Sequence, residues 1–108
     1  MKPTETVEAL AALAHEHRLA IYRRLVQKGP EGMAAGEIAE ALDMPASSLS
    51  FHLAHMRRAG VIVQRRESRS LIYSADFDKM NELVGYLTEN CCGGRSCAPA
   101  AQARRKKA

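Results

Sequence analysis

Three cysteines lie within seven residues near the end of the chain, at Cys91, Cys92 and Cys97. The rest of the 108-residue sequence contains no cysteine. A secreted disulfide scaffold would instead spread an even number of cysteines along the chain. Thiolates are soft donors, so three that converge on one point suit a soft ion, whereas hard ions prefer oxygen ligands. The cluster therefore predicts a thiolate site for a thiol-seeking ligand.

Trivalent arsenic or antimony fits this set of donors, because three thiolates complete its pyramidal coordination. Zinc or cadmium is an alternative, but zinc normally takes four ligands, and Glu89 is the only nearby acid. A redox switch is another alternative, and so is a cluster without a ligand. Adjacent Cα atoms lie about 3.8 Å apart, too close for an easy disulfide between Cys91 and Cys92, so a bridge would use Cys97. A methylated arsenical needs two thiolates and would make Cys97 dispensable.

One predicted helix, residues 45–59, carries polar side chains opposite its apolar stripe. Leu49, Leu53 and Met56 recur at i, i+4 and i+7 and mark the core side. The residues of this helix that we expect to face DNA are Ser47, Ser48, Ser50, Phe51, His55 and Arg58. A serine hydroxyl both donates and accepts hydrogen bonds, which suits phosphates and base edges. The Phe51 ring can contact a thymine methyl in the major groove; its alternative is packing against a neighbouring helix.

A β-hairpin is predicted after this helix, because residues 61–66 and 70–74 are rich in β-branched and aromatic side chains. Arg65, Arg66 and Arg69 lie at or near its tip. A narrow minor groove attracts inserted arginine side chains. The alternative is a solvated charged turn, but the preceding helix–turn–helix pattern favours contact with DNA.

Basic charge is concentrated in this part of the chain. The sequence has 16 Lys and Arg against 12 Asp and Glu, and residues 104–107 hold four of the positives, so residues 1–103 net to zero (12 − 12). Within that neutral stretch, residues 44–75 hold five Arg against one Glu. Residues 76–89 hold four acids against one Lys. This uneven distribution of charge favours a nucleic-acid-binding surface over non-specific electrostatic binding.

The four histidines are not predicted to form a metal site. His15 and His17 are two residues apart and should point away from each other on a helix. His52 and His55 are three apart and could share a ligand. We instead expect His55 to face DNA and His52 to face the interior of the domain.

These residues must be positioned by a small set of elements. The sequence predicts helices over residues 5–14, 15–29, 33–44, 45–59 and 76–90, with Asp76 capping the last one. The order predicts a mainly α fold, a winged helix-turn-helix with about five helices and a two-stranded β-wing. Residues 1–92 are expected to form the DNA-binding and dimerisation domain, and residues 93–108 a flexible basic tail that contains Cys97.

The first and last helices carry apolar stripes that the winged helix does not use. The stripes consist of Val7, Leu10 and Ala14 in the first helix and of Met80, Leu83 and Leu87 in the last. We expect them to form a homodimer interface, so that the dimer spans two half-sites of a palindromic operator.

Several function classes are disfavoured. No apolar run approaches about 18 residues, which argues against a membrane span, and the polar N-terminus does not resemble a signal peptide. We therefore expect a cytoplasmic protein. The sequence has no Cys-x-x-Cys pair and no candidate general base, which argues against an enzyme.

Residues 13–75 resemble the ArsR/SmtB family of bacterial metal- and metalloid-responsive repressors. ALAHEHRLAIYRRL is similar to that family's second helix, SSLSFHLAHMRRAGVI to its recognition helix and RRESRSLIYS to its wing. The family usually has His at the position of Phe51. The helix at residues 33–44 lacks the family's Cys-Val-Cys motif, and the last helix lacks the His of its Asp and His zinc pairs.

Two neighbouring cysteines followed by a third near the end of the last helix resemble a subset of arsenic-responsive members. The resemblance implies a dimeric repressor that binds double-stranded operator DNA. It also implies release of the DNA when trivalent arsenic or antimony, acting as inducer, binds Cys91, Cys92 and Cys97. The alternative is a repressor that responds to thiol oxidation through the same cysteines.

Overall fold

Five α-helices and a three-stranded antiparallel sheet make up the part of the chain that the computed structural model describes, residues 1–94. The helices are α1 (Pro3–Leu13), α2 (Glu16–Lys28), α3 (Ala35–Leu42), α4 (Ala46–Arg58) and α5 (Phe77–Leu87). The strands are β1 (Met33–Ala34), β2 (Ile62–Glu67) and β3 (Ser70–Ala75), and a 3-10 turn covers Cys91–Gly94. The predicted fold class, a winged helix-turn-helix, is confirmed.

The predicted two-stranded wing is present as β2 and β3, but a third, short strand that the sequence did not predict pairs with it. Met33 and Ala34 do not begin a helix but pair with Tyr73 and Ile72, which gives the strand order β1-β3-β2. Gly32 makes this pairing possible, because its φ is +71° and an added Cβ would lie 2.5 Å from the Tyr73 carbonyl oxygen. A strand of two residues is too short to show an alternating sequence pattern.

The buried core is centred on α2 and the inner faces of α3 and α4. Its largest fully buried side chains are Ile21, Leu25, Ile38, Leu49, Met56, Val61 and Ile62. Within α2 the buried positions are Ile21, Tyr22 and Leu25, whereas Leu19 is 47% exposed. The core thus holds α4 against α2 and the base of the sheet.

Local features explain where α3 ends and where α4 and α5 begin. The Asp76 carboxylate accepts a hydrogen bond from the Lys79 backbone N–H at 3.0 Å, which confirms the predicted cap of α5. Asp43, in the left-handed region with φ 52°, makes the tight turn that ends α3. Pro45 follows as the N-cap of α4, and its fixed φ directs the chain into that helix. None of the helices in residues 1–94 is long and apolar enough to cross a bilayer.

Candidate nucleic-acid interface and thiol site

Helix α4 is anchored along one side, and this fixes which residues it presents to solvent. Leu49, Leu53 and Met56 are at most 2% exposed, as the sequence predicted, and His52 joins them at 7%. A helix with four buried positions has little freedom to rotate about its axis. Its opposite side is therefore held in one orientation.

The outward side of α4 carries the residues predicted to contact DNA. Ser47, Ser50 and Arg58 are exposed, and Ser48 and His55 are half-buried. Phe51 is 65% exposed, and its ring lies edge-on to the ring of His52, the next residue on the same helix, at 5.7 Å. The Phe51 ring therefore does not pack against a neighbouring helix, which was the alternative interpretation. A large apolar ring on a polar surface is available for contact with a base.

The electrostatics of α4 suit a polyanion. The chain has no acidic residue from Met44 to Arg66. The first turn of α4 has no carboxylate, and its last turn carries His55, Arg57 and Arg58. Arg57 is exposed and was not singled out from the sequence, although its position beside Arg58 is a usable signal.

His55 is more buried than predicted. It shares a shallow depression with Glu8 and Ala11 of α1 and with Arg58. Burial, followed by the charges of Arg18 and Arg58, lowers the pKa of His55. A neutral imidazole at this position offers both a donor and an acceptor to a phosphate or a base edge.

The three wing arginines are not equivalent. Arg65 donates hydrogen bonds to the backbone carbonyls of Pro30 at 3.3 Å and Glu31 at 2.6 Å, and it forms an ion pair with Glu67 at 2.8 Å. It therefore ties the wing to the loop before β1. Arg66 and Arg69 are exposed, and neither makes a side-chain hydrogen bond or ion pair within residues 1–94. These two are the arginines available to a phosphate backbone.

Two helices present apolar side chains outward. Val7 (64% exposed) and Leu10 (41%) lie on α1, and Val84 (55%) and Leu87 (57%) lie on α5. Of the stripe predicted for α5, Leu83 is only 8% exposed and packs inside the protomer. The outward pair of α5 is therefore Val84 and Leu87.

The α1–α5 face, defined by Val7, Leu10, Val84 and Leu87, belongs to two helices that an ion pair connects. The Lys79 ammonium of α5 lies 3.5 Å from the Glu5 carboxylate of α1. The hydrogen bond with the Lys2 backbone, followed by this contact with Lys79, lowers the pKa of Glu5. The bridge is a direct contact between α1 and α5.

The first two cysteines stand just beyond α5. Cys91 and Cys92 are exposed, and their sulfur atoms lie 3.6 Å apart. Cys92 and Gly93 adopt left-handed backbone angles with φ 58° and 66°, so the chain reverses sharply here. Cys97 and residues 104–107 lie outside the described residues, so the convergence of the third thiol stays a prediction.

The histidines form a cluster that sequence spacing did not predict. His15, His17 and His52 each place one ligand atom within 4.8 Å of the others. The expectation that His15 and His17 point apart was wrong, because His15 precedes α2 as its extended N-cap (φ −156°, ψ 134°) and helical spacing does not apply to it. His52 faces the interior, as predicted.

Comparison with known proteins places this architecture among transcriptional regulators. A family described as a helix-turn-helix domain matches residues 13–65. The HTH-type transcriptional regulator YgaV of Escherichia coli K12 is 34% identical over 83 residues, which cover 77% of this chain and 82% of that protein.

Solved structures of transcriptional regulators have the same fold. HlyU from Vibrio cholerae superposes with a TM-score of 0.64 at 32% identity and covers 81% of this chain and 97% of its own. A structure described as reduced HlyU from the same organism has a TM-score of 0.62 at 28% identity, with coverage of 82% and 90%. The third is a homodimeric winged helix-turn-helix DNA-binding domain, Mb0332 from Mycobacterium bovis, described as a possible ArsR-family regulator. It has a TM-score of 0.64 at 25% identity and covers 85% of each chain.

Proposed function

The chain belongs to the ArsR/SmtB-type winged helix-turn-helix transcriptional regulators, and from this premise we propose that it is a metalloid-responsive repressor. As a homodimer it occupies a palindromic operator, and it leaves the DNA when trivalent arsenic or antimony binds Cys91, Cys92 and Cys97. The observation that carries the proposal is the exposed pair of thiols at the end of α5.

The separation of this pair suits a shared ligand. Two thiolates bound to one ion at about 2.3 Å are themselves about 3.3–3.8 Å apart for bond angles between about 90° and 109°. The 3.6 Å between the sulfurs of Cys91 and Cys92 falls in that range. The ion therefore needs little rearrangement of the first two ligands, and Cys97 supplies the third thiolate across Gly93 and Gly94.

DNA recognition is assigned to α4 and the wing. The outward residues of α4, with Phe51 at the centre, enter the major groove, as recognition helices of this fold do. Arg66 and Arg69 at the hairpin tip reach phosphates or the narrow minor groove. Phosphate contacts orient the protein on the duplex, whereas Phe51 distinguishes thymine through its methyl group.

The homodimer is assigned to the α1–α5 face. Exposed apolar patches on a small domain mark interaction surfaces, and the mycobacterial structural relative is described as homodimeric. A palindromic operator requires a two-fold axis between the two copies of α4.

The thiols lie directly after α5, so ligand binding acts on the end of a dimer helix. A ligand that reshapes this end alters how the two protomers meet and thus the distance between the two recognition helices. A coupling free energy of about 1–3 kcal/mol changes DNA affinity by about 5- to 150-fold. That range is enough for a switch between repression and release.

The proposal is tested by titrating arsenite into the complex with a labelled operator selected from a palindromic duplex library. Fluorescence anisotropy should show release from the native protein. Cys91→Ser and Cys92→Ser should bind DNA as the native protein does but resist release, because oxygen is a poor donor for a soft ion. Ser96→Ala, in the same segment without loss of a thiol, should respond normally.

Two outcomes of that titration change the assignment. If the triple Cys→Ser variant still leaves the operator on arsenite addition, the thiols are not the sensor. If Cys97→Ser alone responds normally, two thiolates suffice and a methylated arsenical becomes the favoured ligand.

A second candidate function is a thiol-redox switch, favoured by the fact that a HlyU structure is described as reduced. Here two thiols lose two electrons and two protons to one peroxide molecule, which yields a disulfide and two waters. The bridge would join Cys97 to Cys91 or Cys92, since adjacent residues pair poorly. Peroxide, and not arsenite, should then release DNA, and a thiol reductant should restore binding.

A further inference from the structure

Three imidazoles meet where the start of α2 touches the inner side of α4. The ring centroids of His15 and His52 are 4.8 Å apart, those of His15 and His17 are 5.3 Å apart, and those of His17 and His52 are 5.6 Å apart. One ligand atom from each ring lies within 4.8 Å of the other two. This histidine cluster is separate from the thiols and from the outward side of α4.

The buried member of the cluster lacks a hydrogen-bond partner. His52 is 7% exposed, and within residues 1–94 its Nδ1 atom has no protein partner. A buried polar atom without a partner costs free energy and points to a group that the protein chain alone does not supply. A bound cation would use the lone pair of a neutral imidazole.

The ring separations match those of imidazoles on one metal ion. With a Zn–N distance of about 2.0–2.1 Å and tetrahedral angles, neighbouring ring centroids lie about 5.2 Å apart and ligand atoms about 3.4 Å apart. The centroids already have this spacing, so the ligand atoms need ring rotation and not helix movement. His15 and His17 are exposed, so their rings have room to rotate, and rotation of His15 breaks the hydrogen bond that its Nδ1 atom accepts from the His17 backbone N–H.

Burial and the charges around the cluster both disfavour protonation of His52. Burial, followed by the charges of His15, Arg18, His17 and His55, lowers the pKa of His52. The Arg18 guanidinium opposes a cation, but it donates hydrogen bonds to the carbonyls of Ala12 at 2.7 Å and Ala11 at 3.3 Å and is thus held at the end of α1.

We propose that His15, His17 and His52 bind a divalent transition-metal ion of the zinc type, with water in the fourth position. Imidazole suits Zn²⁺, Cu²⁺ and Ni²⁺, and three histidines with an open position are an established zinc geometry. The Nδ1 atom of His15 gives up the hydrogen bond it accepts from the His17 backbone N–H at 3.1 Å. The ion ties the N-terminus of α2 to the middle of α4, next to Phe51.

The test uses the triple Cys→Ser variant of the full chain, so that no thiol competes for the metal. Calorimetric titration with Zn²⁺ should show one ion per protomer, and Zn²⁺ should raise the melting temperature. His17→Gln and His15→Asn should each weaken binding at least tenfold and abolish the melting shift. Asn at position 15 preserves an N-cap acceptor, so its effect reports the lost ligand and not the lost cap.

His55→Gln is the matched control for metal binding, because it removes the fourth histidine, one helical turn from His52 on α4, and should leave Zn²⁺ affinity unchanged. In NMR spectra of the native histidines, three of the four imidazole signals should shift on addition of Zn²⁺. The proposal is overturned if Zn²⁺ binding is not saturable in the Cys→Ser variant. It is equally overturned if His17→Gln binds as tightly as that parent. Neither result bears on the thiol site, which the variant lacks.

Discussion

Helices α4 and α5 are similar in length, 13 and 11 residues, but their surroundings differ. Four residues of α4 are buried in the protomer, whereas Leu83 is the one buried residue of α5. Helix α5 instead holds Val84 and Leu87 out to solvent at 55% and 57% exposure. The protomer thus buries one side of α4 within its own core, whereas α5 keeps two apolar side chains exposed, which we propose a second protomer covers.

The difference also bears on regulation. A region with few buried contacts moves at lower free-energy cost than one that is packed on all sides. The thiols follow α5, the less anchored helix, so the ligand that we propose for them would act on that helix and not on α4. Helix α4 then moves as a rigid body with the core and keeps its contacting side chains in place.

The largest expected effect comes from removing an anchor of α4. Leu49→Ala, at a residue 1% exposed, should lower the free energy of unfolding by about 2–5 kcal/mol, because it leaves a cavity in the core. Urea unfolding followed by circular dichroism measures the change. Leu87→Ala, the same substitution on the outward side of α5, is the control. Both variants are measured at a protein concentration low enough to dissociate the dimer, and an equal cost for Leu87→Ala and Leu49→Ala there would mean that the contrast between the two helices is wrong.

A smaller effect is expected from a charge on the α1–α5 face. Leu87→Glu should raise the dimer dissociation constant at least tenfold, about 1.4 kcal/mol, because a carboxylate is buried without a partner. Sedimentation equilibrium measures the change, and the circular dichroism spectrum should stay native. Val63→Glu, at an apolar residue of β2 that is 45% exposed, should leave the dimer intact. A Leu87→Glu protein that remains a tight dimer would place the interface elsewhere.

The smallest effect is expected at the wing. Arg66→Ala and Arg69→Ala should each weaken operator binding across sequences and flatten the salt dependence by about one unit, since each loses a phosphate contact. Arg65→Ala should change the slope less, because Glu67 and two backbone carbonyls already engage its guanidinium. Anisotropy titrations over a range of salt concentrations measure the slopes. Equal slopes for all three variants would mean that Arg65 leaves its internal contacts to bind DNA.

Much of this architecture follows from the sequence. The i, i+4 and i+7 recurrence of Leu49, Leu53 and Met56 predicted the buried side of α4, and Asp76 predicted the start of α5. Regular elements repeat with a fixed period, so a local stretch of sequence contains the information that places them. The same helical projection placed the serines of α4 and Phe51 on the side opposite the core.

The tertiary structure decided what depends on distant segments. Strand β1 exists because Gly32 lets Met33 reach Tyr73, a partner forty residues away. Arg65 is held by carbonyls 34 and 35 residues before it, which separates it from Arg66 and Arg69. The histidine cluster joins the N-cap of α2 to the inner side of α4, and no spacing rule links those positions. Periodicity assigns a residue to one face of its own element, but only the packing of elements determines which other residues meet it there.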